Sequence, residues 1–94
     1  MCNREKTDMP KITIYTKSSC PYCHDAKTLL RAKKAAFEEI SVDGDHAGQM
    51  KMAARAQGRS SVPQIFIGAT HIGGCDDLYA LDHAGKLDQL LAAA

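Results

Sequence analysis

Tryptophan is missing from this 94-residue chain, and only three tyrosines and two phenylalanines supply aromatic bulk. Isoleucine, leucine, valine and phenylalanine together number 17, while alanine alone contributes 14 of the residues behind the 45% hydrophobic content. So few bulky apolar residues border on the composition of disordered chains, but disorder also calls for strong net charge. Here 12 basic residues against 11 acidic ones leave only +1. The chain is therefore expected to fold as one domain around a thin core. It has no large basic field to offer a nucleic acid or a membrane surface. No apolar run approaches the length that crosses a bilayer. The first eight residues are polar and lack the apolar centre of a secretory signal, so a secreted precursor is not expected.

Cysteine is scarce as well. The four cysteines stand at 2, 20, 23 and 75, and only Cys20 and Cys23 are close in sequence. A disulfide-stapled secreted scaffold would spread more of them along the chain. A structural zinc site would need a second Cys/His pair at ligand spacing, which His24, His46, His71 and His83 do not provide, so no metal site is expected. In a chain of cytoplasmic character, a single Cys-x-x-Cys reads as a redox pair.

What is present is a regular alternation of elements. Residues 1–10 read as a loose arm and 11–94 as the domain. Residues 11–16 alternate apolar and polar side chains and predict a strand. A helix is expected from Cys23 to about Ala36, with Ala26, Leu29, Leu30 and Lys33 at helical spacing. Residues 37–42 predict a second strand with Ile40 and Val42 on one face. Asp45 suits the N-cap of a helix reaching about Gln57, with Gly58 at its C′ position. Met50, with Ala47 and Ala54, is expected to face the sheet from that helix. Residues 64–67 and 70–73 flank Gly68-Ala69 and predict a hairpin. A helix over about 76–84 closes at Gly85, with Leu78, Tyr79 and Leu81 as core, and a short helix covers 87–91. Strands joined through a helix run parallel with a right-handed crossover, and the last two must be antiparallel. The expected class is α/β, a four-stranded mixed β-sheet flanked by helices in a thioredoxin-like layout.

The redox pair falls where the first strand gives way to the first helix. Pro21 is the residue type favoured at the first helical position, which puts Cys20 at or near the N-cap. The first-turn N–H groups have no intrahelical partner and, with the helix dipole, favour a negative sulfur. The Cys20 thiol is thus expected to ionise well below its ordinary value, with Lys17 adding a positive charge. Cys23, a turn inside, is expected to stay protonated until needed. A ring closed by Cys-x-x-Cys constrains little chain, so a purely structural disulfide is disfavoured.

Two further segments have chemistry to offer. Pro63, directly before a strand, is an ordinary trans proline or a cis one that leaves the Val62 backbone free for a peptide-like ligand. Gly73-Gly74-Cys75-Asp76-Asp77 leads into a helix whose free amides suit a carboxylate, while the Asp76 side chain suits an ammonium group. Alone, that segment reads first as a capped helix and nothing more. Cys75 reads most simply as a small residue that fits, Cys2 has no assigned role, and His24 belongs on the solvated side of its helix.

Residues 15–23, 61–67 and 71–78 together resemble the three signature blocks of the dithiol glutaredoxins, the short bacterial glutaredoxin 3 type most closely. The resemblance covers residues 11 to about 91. It implies a thioredoxin fold and a cytoplasmic, glutathione-dependent oxidoreductase that acts on glutathione mixed disulfides and protein disulfides. Glutathione would be a co-substrate, with no tightly bound cofactor, and glutathionylated or disulfide-bearing proteins would be the partners of a monomer. Carried over residue by residue, Cys20 is the nucleophile and Cys23 resolves protein disulfides. Lys17 and Gln57 face the glycine carboxylate, Tyr22 flanks the sulfur, and Val62 pairs with the cysteinyl backbone beside a cis Pro63. Gly74, Cys75 and Asp76 hold the γ-glutamyl end. Many members carry Thr where Ser61 stands, which keeps the hydroxyl and adds a methyl.

Two other readings share the motif. A cluster carrier would hold a [2Fe–2S] centre through Cys20 of two chains and two glutathiones, against which Pro21 and Cys23 argue. A redoxin served by thioredoxin reductase would have no use for Lys17 or the Gly74–Asp76 segment.

Overall fold

The computed structural model describes residues 11–92, so the expected arm over 1–10, with Cys2, lies outside the described residues. The elements are β1 (Ile12–Thr16), α1 (Pro21–Ala32), β2 (Glu38–Ser41), α2 (His46–Arg55), β3 (Gln64–Ile67), β4 (Thr70–Gly73), α3 (Cys75–His83) and α4 (Leu87–Ala92). They build the expected mixed sheet in the order β2-β1-β3-β4. β1 runs parallel to β2 and antiparallel to β3, and β4 runs antiparallel to β3.

The side-chain period of two divides the core into two layers. Ile12 and Ile14 of β1, with Ile65 and Ile67 of β3, pack against Leu29, Leu30, Leu78 and Leu87 on the face covered by α1, α3 and α4. Tyr15 and Phe66 point to the other face, where Val42, Met52 and Ala56 cover them. Because β1 lies inside the sheet between these layers, all five of its residues are buried, including the polar Thr13 and Thr16. The Thr16 hydroxyl meets its bonding requirement by donating to Glu39 Oε2 at 2.7 Å.

On α2 the buried stripe is Met52, Ala53 and Ala56, whereas Met50, Ala47 and Ala54 are exposed, contrary to expectation. Both sets satisfy helical spacing, and a helix this rich in alanine leaves the choice to the sheet it meets. Asp45 caps α2 as expected, accepting the Gly48 N–H at 2.9 Å.

The first helix begins two residues earlier than expected and ends four residues sooner. Its end is set by Lys34, which takes φ 57°, while the N–H groups of Lys34 and Ala35 close on Arg31 and Leu30 carbonyls. α2 ends at Arg55, three residues before Gly58, with Ala56 as its C-cap. Gln57 takes the left-handed conformation, φ 60°, and the Gly58 N–H bonds the Ala53 carbonyl. Of the helix ends within the described residues, that of α3 has glycine at that position, Gly85. The hairpin joins β3 to β4 through Gly68-Ala69, and positive φ is confined to Gly68, as in a type II′ turn.

Candidate active site

Cys20 is the N-cap of α1, in extended conformation at φ −98° and ψ 107°, and Pro21 opens the helix. The backbone N–H of Cys23 reaches the Cys20 carbonyl at 3.2 Å and the Cys20 sulfur at 3.3 Å. On its other side, the Cys20 thiol donates to the Val62 carbonyl at 3.6 Å. One helical turn makes the two sulfurs unequal. Cys20 is half-buried, while Cys23 is 1% exposed. Burial, and then the neighbouring Cys20 sulfur, push the Cys23 thiol up to about 12.

Beside Cys20 opens a cleft of about 200 Å³ whose walls come from four places in the chain. Tyr22 of α1, 60% exposed, forms one lip. Arg59 and Ser61 come from the loop after α2, and Val62 and Pro63, joined by a cis peptide bond, lead into β3. Gly74, Cys75, Asp76 and Asp77 supply the start of α3. The chain reaches this helix through Gly73 at φ 114°, where a Cβ would run into the Asp77 carboxylate and the Arg59 guanidinium.

The two neighbouring aspartates have different tasks. Asp77 turns back on its own helix start and accepts the Gly74 N–H at 2.9 Å, while its Oδ2 pairs with Arg59 Nη1 at 3.1 Å. Those two partners, the Gly74 N–H first, hold its carboxyl below the usual carboxylate range. Because Asp77 is the capping side chain, Asp76 remains exposed on the cleft wall. Burial, and after it the charges of Asp25, Asp76 and Cys20, push the Cys75 thiol up.

Of the ten residues singled out from the sequence, the cleft gathers Tyr22, Val62, Pro63, Gly74, Cys75 and Asp76; Cys20 touches it through the Val62 carbonyl, and Cys23 is buried behind Cys20. Lys17 and Gln57 do not line it. The Lys17 carbonyl accepts the Cys20 N–H at 3.1 Å, and exposed Gln57 shapes the end of α2. The cation that does line it is Arg59, a lone arginine in a loop with no motif to mark it. Asp77, too, reads in the sequence only as part of the Gly-Gly-Cys-Asp-Asp run.

Residues 12–72 match the family model for glutaredoxin. The chain belongs to the glutaredoxin family. It is 58% identical over 83 residues to glutaredoxin 3 of Escherichia coli, covering 88% of this chain and 99% of that one. It is 54% identical over 85 residues to a glutaredoxin of Pseudomonas aeruginosa, covering 90% and 100%. The solution structure of a Brucella melitensis glutaredoxin superposes with a TM-score of 0.80 at 50% identity, covering 90% of this chain and 91% of that one. The crystal structure of a buckwheat glutaredoxin–glutathione complex superposes with a TM-score of 0.78 at 32% identity, covering 88% and 81%. This glutaredoxin is a glutathione-dependent disulfide oxidoreductase with the thioredoxin fold, most like the bacterial glutaredoxin 3 type. Among its described residues, no helix is long and apolar enough to cross a membrane, and no cluster of three metal-ligating side chains occurs.

Proposed function

We propose that the Cys20-Pro21-Tyr22-Cys23 dithiol reduces glutathione mixed disulfides and protein disulfides, with the cleft beside Cys20 holding the glutathionyl group. The observation that carries this reading is the placement of Cys20 Sγ. It is half-buried, it receives a helix-start N–H at 3.3 Å, and it adjoins a wall that offers one cation and one free carboxylate. Glutathione has two carboxylates and one ammonium, and its sulfur must reach Cys20. Arg59, beside Gly73 and Gly74 at the start of α3, adds a positive charge for the γ-glutamyl carboxylate, while Lys17 and Gln57, outside the cleft, are assigned to the glycine carboxylate. The first-turn amides of Cys75 and Asp76 suit the γ-glutamyl carboxylate, and the Asp76 side chain suits the ammonium. The Val62 backbone lies beside Cys20 Sγ, where the cysteinyl unit would pass. The buckwheat relative described in complex with glutathione supports the same occupant.

The chemistry follows from the unequal sulfurs. The Cys20 thiolate attacks the glutathionyl sulfur of a mixed disulfide; the Cys20–glutathione bond forms as the substrate thiolate leaves and takes up a proton. A second glutathione thiolate attacks that glutathionyl sulfur, releasing oxidised glutathione and restoring Cys20. On a protein disulfide, Cys20 forms the mixed disulfide with the protein instead. Cys23 then loses its proton to the leaving thiolate and displaces it, and two glutathiones reduce the resulting Cys20–Cys23 disulfide. Reduction potentials of about −200 to −230 mV, the range typical of glutaredoxins, lie near the cytosolic glutathione poise, so a cytoplasmic enzyme can run the reaction either way. Every group in this scheme comes from one chain, so a monomer suffices.

The test is reduction of a glutathionylated peptide, coupled either to glutathione with glutathione reductase or to thioredoxin reductase. Turnover that saturates with glutathione and vanishes in Cys20→Ser is expected. Turnover through thioredoxin reductase alone would overturn the proposal.

A further inference from the structure

We propose that Gln64 and His71 are positioning residues of the cleft, aiming the Ser61 hydroxyl at a carbonyl or carboxylate oxygen of the bound tripeptide. The proposal rests on the glutathione reading of the cleft and adds to it a hydrogen-bond relay that lies behind the wall.

Gln64 is fully buried, at 0% exposure. A buried amide that lacks partners is costly, so its contacts have to be accounted for. Its Oε1 lies 2.7 Å from His71 Nε2, and its Nε2 lies 3.3 Å from Ser61 Oγ. With the amide oxygen on His71, Nε2 of the imidazole carries the proton and donates. The amide nitrogen is thereby turned to Ser61 and donates there. The imidazole is itself braced, stacked on the Phe66 ring with centroids 5.0 Å apart, and Phe66 is held edge-on by Tyr15.

The consequence falls on Ser61, which lines the cleft. A hydroxyl has one proton to donate and two lone pairs. With a lone pair directed at Gln64, its own proton points away from Gln64 and is left for an acceptor on the cleft side. The relay thus presents a donor to an oxygen-rich ligand instead of leaving the hydroxyl free to rotate. It also braces the Ser61–Val62–Pro63 wall from behind, one residue from the carbonyl that contacts Cys20.

A double-mutant cycle tests this. Gln64→Met fills the buried space without polar atoms, and Ser61→Ala removes the hydroxyl. Each alone is expected to raise KM for a glutathionylated peptide about fivefold, with kcat within twofold of the wild type, the effect of one lost hydrogen bond. Together they are expected to give no more than the larger single effect, because the donor that Gln64 aims is already gone. His71→Phe keeps the ring against Phe66 and removes the N–H. It should raise KM in the same direction, and it carries the test if Gln64→Met loses its thermal transition. Additive losses, or an unchanged KM in both folded variants, would overturn the relay while leaving the glutathione reading intact. A wild type whose turnover does not depend on glutathione would overturn both.

Discussion

Cys23 donates its backbone N–H to the Cys20 sulfur across 3.3 Å, yet its own thiol is shut away at 1% exposure and pushed up to about 12. One residue thus plays two parts, donating to its neighbour's sulfur through the backbone and withholding its own thiol. The backbone part survives side-chain substitution. Cys23→Ser is expected to keep activity on glutathionylated peptides within about threefold while losing more than tenfold on a dithiol-forming protein disulfide. Parallel assays on the two substrates check this; equal loss on both would refute the division of labour.

The same inequality predicts the alkylation pattern of the reduced protein. Only thiolate reacts, and burial, followed by the neighbouring Cys20 sulfur, keeps the Cys23 thiol protonated at pH 8. Cys75 is buried and raised by that burial. Among Cys20, Cys23 and Cys75, peptide mapping after brief iodoacetamide treatment at pH 7 to 8 should therefore find the label on Cys20, with Cys23 and Cys75 reacting only after unfolding. Early label on Cys23 would contradict the packing around it.

The parts that were legible in the sequence are those that local chemistry decides. The alternation in β1, Asp45 at an N-cap, the Gly-led hairpin turn and Gly85 at a helix end each work through their nearest neighbours, and each falls where expected. The ends of α1 and α2 were not legible, because Lys34 and Gln57 occupy left-handed positions where glycine or asparagine is the usual signal. Tertiary packing holds them there, as when buried Ala35 closes α1. The inward face of α2 was misjudged for a related reason, since alanine at nearly every turn marks no side. At the site, residues within the motifs converge on the cleft, whereas Arg59 reaches it only because Gly73 lets Asp77 and the guanidinium meet. Such a contact belongs to the fold and has no local signature.

Arg59 is predicted to act on binding more than on chemistry. Arg59→Ala should raise KM for a glutathionylated peptide about fivefold to tenfold with little change in kcat, as loss of a charge-assisted contact implies. Arg59→Lys should recover only part, since an ammonium lacks the planar fork. Because Arg59 is half-exposed, salt screens its attraction for a ligand carboxylate, so the wild-type KM should itself rise with ionic strength, and the alanine variant should respond less. Steady-state kinetics from low to high salt read all three, and an unchanged KM in Arg59→Ala would remove it from the binding site.

Asp77 gives an acid-stability prediction whose sign is fixed by its environment. The Gly74 N–H, followed by Arg59, stabilises the carboxylate, so the folded-state pKa lies below the unfolded value of about 3.9. The unfolded chain therefore takes up the proton first as pH falls. The contribution is complete above about pH 4 and is lost as pH drops through the folded value. Asp77→Asn keeps an acceptor for Gly74 but has no charge to lose, so the difference in stability between it and the wild type should narrow steadily below pH 4. Taking that difference cancels Glu39 and Asp43, whose carboxyls are also held low and titrate in the same window. Asp77→Ala removes the acceptor altogether and should cost about 1 kcal/mol at neutral pH, the usual effect of losing a helix cap. Denaturant titrations at several pH values distinguish these cases. A difference that stays flat through pH 3 would mean that the Gly74 N–H is bonded equally well without the charge.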